Sequence, residues 1–337
     1  MNRNRRQILA AIAMTLPLGA QLLGCGSDAP ELQFVAVTFN AGTTTGLGHD
    51  DGPDDGYSSA DADTSDTHYG DGLAWSAFID DTRAFFDSAE ADIVVFQEIF
   101  HPGDCLQIPG DATAGFICET WAEGDPTVAQ MVLGPNYQVA CHLGKPDKCA
   151  AVKRSFGSFR GCIDDLCIEG LDGAQVPDCG SGSRIGRGTI ELVEGGSFTL
   201  VNIHGSSGLS SSDVDCRVQQ FEQVFVDLGD GEPGVNGTAN LAMGDLNTDP
   251  LRFAGTDASA TRFLDFVGDD HDFEFITDTG STAAPTYQGL VNIDHVVSDA
   301  FRGSCWAPGI SEGRPPIHDA VYFDHVPIVC DIEGDRP

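Results

Sequence analysis

Leu241-Ala242-Met243-Gly244-Asp245-Leu246-Asn247 is an apolar run with an acid and an amide at its end, two residues apart. If the run is a strand that continues, the i, i+2 spacing puts both side chains on one face; if it breaks, both enter one turn. An Asp-x-Asn turn that merely closes a strand would read the same way. Residues further out decide for more than that. Upstream, Ile93-Val94-Val95-Phe96 ends in Gln97-Glu98, and Leu200-Val201-Asn202-Ile203 ends in His204. Downstream, Asp294-His295 follows Val291-Asn292-Ile293, and Asp324-His325 lies within Phe323 to Ile328. Carboxylates, amides and imidazoles that recur at strand ends over most of a chain imply one site assembled by a sheet. Oxygen ligands without clustered thiolates suit a hard cation such as Mg²⁺, and paired histidines suit proton transfer near neutral pH. That combination points to metal-assisted hydrolysis of phosphate esters.

The amino terminus reads as an address. Arg3, Arg5 and Arg6 precede a short apolar stretch, Ile8 to Ala20, which Pro17 interrupts. It is too short to span a bilayer and has the form of an export signal over residues 1–24. Leu22-Leu23-Gly24-Cys25 resembles a bacterial lipobox, which would make Cys25 the lipidated first residue of a membrane-anchored lipoprotein, with residues 25–31 as its tether. Arg5-Arg6-Gln7-Ile8-Leu9 resembles a twin-arginine signal. The expected location is therefore exported, periplasmic or at the cell surface. Of the 11 Cys, ten remain when Cys25 is set aside, an even number suited to disulfides in an oxidising compartment. Cys141/Cys149 and Cys162/Cys167 are spaced to close small loops. No Cys/His spacing fits zinc.

The net charge of −35 disfavours loose, non-specific nucleic-acid binding. It leaves a nuclease open, because a bound cation and a few local Arg reverse the field inside a cleft.

β-formers from Leu32 to Phe39 predict a first strand ending at Asn40. Residues 41–72, rich in Asp, Gly, Ser and Thr, show no apolar period and are expected to be a solvated acidic loop. The loop could hold Ca²⁺ as a structural ion, but no EF-hand spacing fits: after Asp61-Ala62-Asp63 the position that requires Gly is Asp66. Helical spacing covers Leu73 to Ala89, Thr127 to Leu133, Asp213 to Leu228 and about Ala260 to Val267. Strands are expected at Ala91 to Ile99, Tyr137 to Cys141, Ala151 to Phe156, up to Met243, and at Phe273 to Ile276, Val291 to Ser298 and His325 to Ile332. Gly188 to Val193 and Phe198 to Ile203 form a hairpin turning at Glu194-Gly195-Gly196-Ser197. Residues 161–182 read as a Cys- and Gly-rich excursion. Locally linked strands with few helices argue for a mixed sheet.

In this order, Thr38-Phe39-Asn40, Gln97-Glu98, Asn202-Ile203-His204, Gly244-Asp245-Leu246-Asn247, Ile293-Asp294-His295 and Asp324-His325-Val326-Pro327 together resemble the endonuclease/exonuclease/phosphatase, or DNase I-like, superfamily. The resemblance spans about residues 32–333, taken as a single domain. It implies a four-layer α/β sandwich, two mixed β-sheets face to face with helices outside. It also implies roles. Glu98 would be the principal Mg²⁺ ligand, with Asn40 and, directly or through water, Asp324; Mn²⁺ would suit the same donors. Asp245 would orient or deprotonate the attacking water and Asn247 would hold a phosphate oxygen. Asp294 would pair with His325, and His204 and His325 would stabilise charge or protonate the leaving oxygen. Arg187, or else Arg184, would face the phosphate; a surface charge at a strand start is the alternative. The expected activity is that of a monomeric extracellular or periplasmic nuclease acting on nucleic acid. A sphingomyelinase-like phospholipid phosphodiesterase, a phosphatase and a catalytically silent surface-binding module are the alternatives.

Overall fold

The computed structural model describes residues 31–43, 56–70, 72–142, 144–173, 179, 185–308 and 323–337. The export signal, Cys25, Arg184 and most of the tether lie outside the described residues. Two mixed sheets face each other. The first has seven strands: β1 (Glu31–Asn40), β2 (Ile93–Gln97), β3 (Tyr137–His142), β4 (Lys145–Lys153), β6 (Leu166–Leu171), β12 (Phe301–Trp306) and β13 (Ile328–Asp335), in the order β12-β13-β1-β2-β4-β3-β6. The second has six: β5 (Gly157–Phe159), β7 (Ile185–Leu192), β8 (Ser197–His204), β9 (Asn240–Asp245), β10 (Glu274–Phe275) and β11 (Asp294–Ser298), in the order β10-β11-β9-β8-β7-β5. β1 and β2 run parallel, as do β8 and β9 and also β3 and β6; the other pairs are antiparallel.

Strand alternation sorts the core into three sheets of apolar contact. Phe34, Ala36, Val95, Leu200, Leu241, Met243 and Val296 point inward and pack between the sheets. On the outer face of the first sheet, Val37, Phe39, Val94 and Phe96 pack on Phe78, Phe85 and Phe86 of α2 (Ala77–Ala89) and on Val128 and Val132 of α3 (Val128–Leu133). Outside the second sheet, Val201, Ile203, Ala242 and Val297 meet Phe221 and Val224 of α4 (Ser211–Phe225) and Phe263 of α5 (Ala258–Leu264). Helix, sheet, sheet and helix make the expected four-layer sandwich. Burying a Leu or Phe side chain in such a layer contributes about 1.5–3 kcal/mol.

Three local expectations are corrected and one strand is new. The acidic stretch 41–72 is not all loop, since α1 (Ser59–His68) lies inside it. Ser58 and Asp61 form a reciprocal capping box, and only Ala62 and Ser65 of the helix are buried. A helix with no apolar stripe leaves no period to find; its signal was the cap Ser58-x-x-Asp61. The excursion 161–182 contributes β6, which pairs parallel to β3. The strand expected at Ala151 to Phe156 begins earlier, at Lys145, and β12 was not foreseen at all. The ten cysteines other than Cys25 form five disulfides: Cys105–Cys118, Cys141–Cys149, Cys162–Cys167, Cys179–Cys216 and Cys305–Cys330. Both pairings expected from spacing are among them.

Candidate active site

One edge of the sandwich gathers the polar ends of its inward-facing rows. β1 carries Phe34, Ala36, Thr38 and then Asn40 on one face; β8 carries Phe198, Leu200, Asn202 and then His204. β9 carries Leu241 and Met243 and ends at Asp245. His204 lies beside Asp245 in the parallel register of β8 and β9, and Asp294, first residue of β11, lies opposite Asp245. Three strands thus deliver their last inner position, and β11 its first, to one place.

A buried polar bridge fixes the two sheets beneath it. Gln97 Nε2 donates to Asn202 Oδ1 at 2.8 Å, and Asn202 Nδ2 donates to the carbonyls of Phe96 (2.9 Å) and Cys149 (3.2 Å). Fully paired groups of this kind set a unique register between sheets that apolar packing alone would let slide.

Asp245 is the hub. Its Oδ2 accepts from Asn40 Nδ2 at 3.0 Å and from Asn247 Nδ2 at 2.8 Å, while Oδ1 accepts from the Asn247 backbone N–H at 2.6 Å. His204 Nε2 lies 3.8 Å and His325 Nε2 3.7 Å from the same Oδ2. His325 Nδ1 donates to Asp294 Oδ2 at 2.8 Å, which orients the ring with Nε2 facing the cluster. His204 Nε2 also faces Glu98 Oε1 at 3.4 Å. Glu98 and Asn247 both have left-handed backbone, φ 53° and 51°, a strained conformation for side chains with a Cβ.

Three oxygens converge on Gly42. A Cβ at that glycine would collide with Glu98 Oε2 and lie 3.1 Å from Asn40 Oδ1 and 3.2 Å from Asp324 Oδ1. Among the described residues Asp324 Oδ1 is buried without a hydrogen-bond partner. Two carboxylates and an amide oxygen, with Glu98 partly open to solvent, form a donor set for a hard divalent cation. Asp245, Asp294 and His325 also bring ligand atoms within 4.8 Å of one another. Both Asp245 oxygens already accept hydrogen bonds from the Asn40 and Asn247 amides, and the all-oxygen set at Gly42 suits a hard cation better than one that includes an imidazole.

Charge follows the same layout. Burial pushes the Asp245 carboxyl up, against the pull of His325. Asp324 is raised by burial in the same way. Burial works against the His325 imidazolium, yet Asp294, Asp245 and Asp324 together hold it well above the usual histidine range.

The structure brings together Asn40, Glu98, His204, Asp245, Asn247, Asp294, Asp324 and His325. It does not bring Arg187. In β7 that residue pairs with Val201, on the outer, helix-facing side of the sheet, opposite to His204. Its guanidinium donates to Asp230 Oδ2 at 2.6 Å and to the Pro233 carbonyl at 3.0 Å. A period of two decides its face, and a one-residue shift would have reversed it.

Sequence reasoning missed the clamp around the loops. Arg217 of α4 is fully buried and donates to the carbonyls of Ser206 and Gly208 (both 2.7 Å), to Ser259 Oγ (2.9 Å) and to Asp257 (3.0 Å). Asp257 also accepts from Thr248 Oγ1 at 3.1 Å, so one ion pair ties the loop after His204 to the loop after Asn247. A lone Arg within an apolar helical period was its only trace in the sequence.

No family model matches the sequence, and no curated protein matches it either. Solved structures do. An endonuclease/exonuclease/phosphatase family protein from Bacteroides thetaiotaomicron superposes with a TM-score of 0.50 at 15% identity, covering 91% of this chain and 97% of that one. ANGEL2, a 2′,3′-cyclic phosphatase in complex with adenosine-2′,3′-vanadate, superposes with a TM-score of 0.50 at 13% identity, covering 90% and 96%. At such identities the likeness is one of fold.

Proposed function

We propose that this chain, which has the fold of the endonuclease/exonuclease/phosphatase superfamily, is a divalent-metal-dependent phosphodiesterase, and that its substrate is nucleic acid. The observation that carries the proposal is the convergence of Asn40, Glu98 and Asp324 around Gly42, directly beside the Asp245–His204–His325 cluster. That donor set fits Mg²⁺, with Mn²⁺ as a close substitute. When bound, the cation neutralises charge on a phosphate oxygen.

The side chains do the rest by position and electrostatics, the terms that dominate at phosphorus. Asp245, held by Asn40 and Asn247, orients a water for in-line attack and draws off its proton. Asn247 turns its amide toward a non-bridging oxygen. His325, charged and aimed by Asp294, stabilises the equatorial charge of the transition state; His204 on the other side of Asp245 protonates the leaving oxygen. A likeness to a cyclic-phosphate phosphatase supports phosphoester chemistry.

Export as a membrane-anchored lipoprotein is part of the same proposal. It rests on the signal-like residues 1–24, the Leu22-Leu23-Gly24-Cys25 box and five disulfides, which suit an oxidising compartment. The test is a nicking time course on plasmid DNA with Mg²⁺ added or chelated, using Asp245→Ala as control. Nicking that needs both Mg²⁺ and Asp245 supports the nuclease. Folded, Mg²⁺-binding protein that leaves DNA intact refutes it and redirects the assay to phospholipid and monoester substrates.

A further inference from the structure

Among the described residues, five other than glycine have left-handed backbone: Leu73, Glu90, Glu98, Asn247 and Gln288. Glu90 closes α2, and Glu98 and Asn247 belong to the cluster. Gln288 is exposed and belongs to neither, although backbone strain of this kind collects at functional sites.

Gln288 (φ 48°) and Gly289 (φ 67°) form the centre of a tight turn, closed by the Leu290 N–H on the Tyr287 carbonyl at 2.9 Å. Positive φ at both central positions is the I′ geometry, which favours Asn or Gly and penalises Gln. The turn is knitted to the cluster on both sides. The Gln288 N–H donates to the Asp324 carbonyl at 2.9 Å, and the Val326 N–H to the Thr286 carbonyl at 2.8 Å. Thr286 Oγ1 accepts from the Asp294 N–H at 3.1 Å. Tyr287 forms a β-bridge with His325, and the centroids of the two rings are 4.9 Å apart.

The strained residue also sets the hydroxyl. Gln288 Nε2 donates to the Tyr287 hydroxyl oxygen at 3.1 Å, so the amide fills an acceptor position and leaves the O–H proton to point elsewhere. Burial and then the charges of Asp324, Asp245 and Glu98 raise the Tyr287 pKa, which places the phenol in the field of those carboxylates and keeps it protonated.

We infer that Tyr287, aimed by Gln288, is a substrate-contacting residue whose hydroxyl donates a hydrogen bond to a non-bridging oxygen of the phosphate. It fills the place first assigned to Arg187: a donor for the phosphate, supplied by the hairpin between α5 and β11. The inference rests on the phosphodiesterase reading.

The test measures kcat and KM on bis(4-nitrophenyl) phosphate with Mg²⁺ for the full chain, Tyr287→Phe and Gln288→Gly, together with Tm and calorimetric Mg²⁺ affinity. Tyr287→Phe keeps the ring against His325 and removes only the hydroxyl. It should lower kcat/KM by about 10- to 100-fold, the loss expected for one hydrogen bond to a charged oxygen, without changing Tm or Mg²⁺ affinity. Gln288→Gly relaxes the turn, so Tm should hold or rise while kcat/KM falls severalfold. Wild-type kinetics in Tyr287→Phe would overturn the inference and leave the phosphodiesterase standing. A loss of activity that follows a loss of Tm or of Mg²⁺ affinity would also overturn it, by making the hydroxyl structural. Wild-type protein inert toward both this diester and plasmid DNA would overturn the site reading and the inference with it.

Discussion

Asp294-His295 and Asp324-His325 are the same dipeptide in similar apolar company, and the fold uses them in opposite ways. The first opens the regular strand β11, so its two side chains part: Asp294 faces inward to His325, and His295 faces outward. There His295 Nε2 donates to the Asn292 carbonyl at 3.0 Å and Nδ1 pairs with Thr277 Oγ1 at 3.0 Å. Burial holds its pKa below the usual value. The second dipeptide lies on irregular chain just before β13, and both of its side chains reach the cluster, Asp324 beside Glu98 and His325 beside Asp245. A histidine's role here is set by strand register and by which carboxylate it meets, not by its neighbour in sequence.

The largest effect should come from Asp294, which shares a peptide bond with His295 and a hydrogen bond with His325. Asp294→Asn keeps the shape and removes the charge that aims and protonates His325. Turnover of a phosphodiester should fall by roughly 10²- to 10⁴-fold, with Tm little changed. Retained turnover would mean that the pairing with His325 is incidental.

Metal affinity should separate the two aspartates. Glu98→Gln or Asp324→Asn should weaken Mg²⁺ binding by about 10-fold or more in calorimetry, while Asp294→Asn leaves it nearly unchanged, because Asp294 is not among the oxygens around Gly42. Weakening by Asp294→Asn alone, with Glu98→Gln and Asp324→Asn unchanged, would place the cation among Asp245, Asp294 and His325 instead.

The histidines should also pull stability in opposite directions with pH. Stability rises with pH wherever the unfolded chain binds more protons. His295 has a lowered folded pKa, so the unfolded chain binds the extra proton and stability falls as pH drops below about 6.5. His325 has a raised folded pKa, so its contribution is complete below about 6.5 and is lost as pH climbs above it. Urea unfolding across this range in chelator should show His295→Gln losing the acid-side fall and His325→Gln losing the alkaline-side fall.

The smallest effect should be His295→Asn at constant pH. Two buried hydrogen bonds are disturbed, at a cost of about 1–3 kcal/mol in denaturant unfolding, while turnover stays within about twofold.

Much of this was legible. Apolar runs ending in Asn40, Glu98, His204 and Asp245 announced strands that carry chemistry at their ends, because a period of two and a polar terminus survive in the sequence. The helix at Ser59 did not, since it buries almost nothing and has no stripe. Arg187 stood just before the expected strand Gly188 to Val193, where a one-residue shift of register decides the face, and the structure turns it to the helix side. Tyr287 and Arg217 were invisible for another reason. Their roles arise from a turn and a clamp whose partners, Asp324, Asp257 and Ser206, come from other segments of the chain.

The most direct measurement is Mg²⁺-dependent phosphodiester turnover for His325→Gln and His295→Gln side by side. Turnover should fall by at least about 10²-fold at His325 and stay near normal at His295. Comparable rates in the two variants would contradict this.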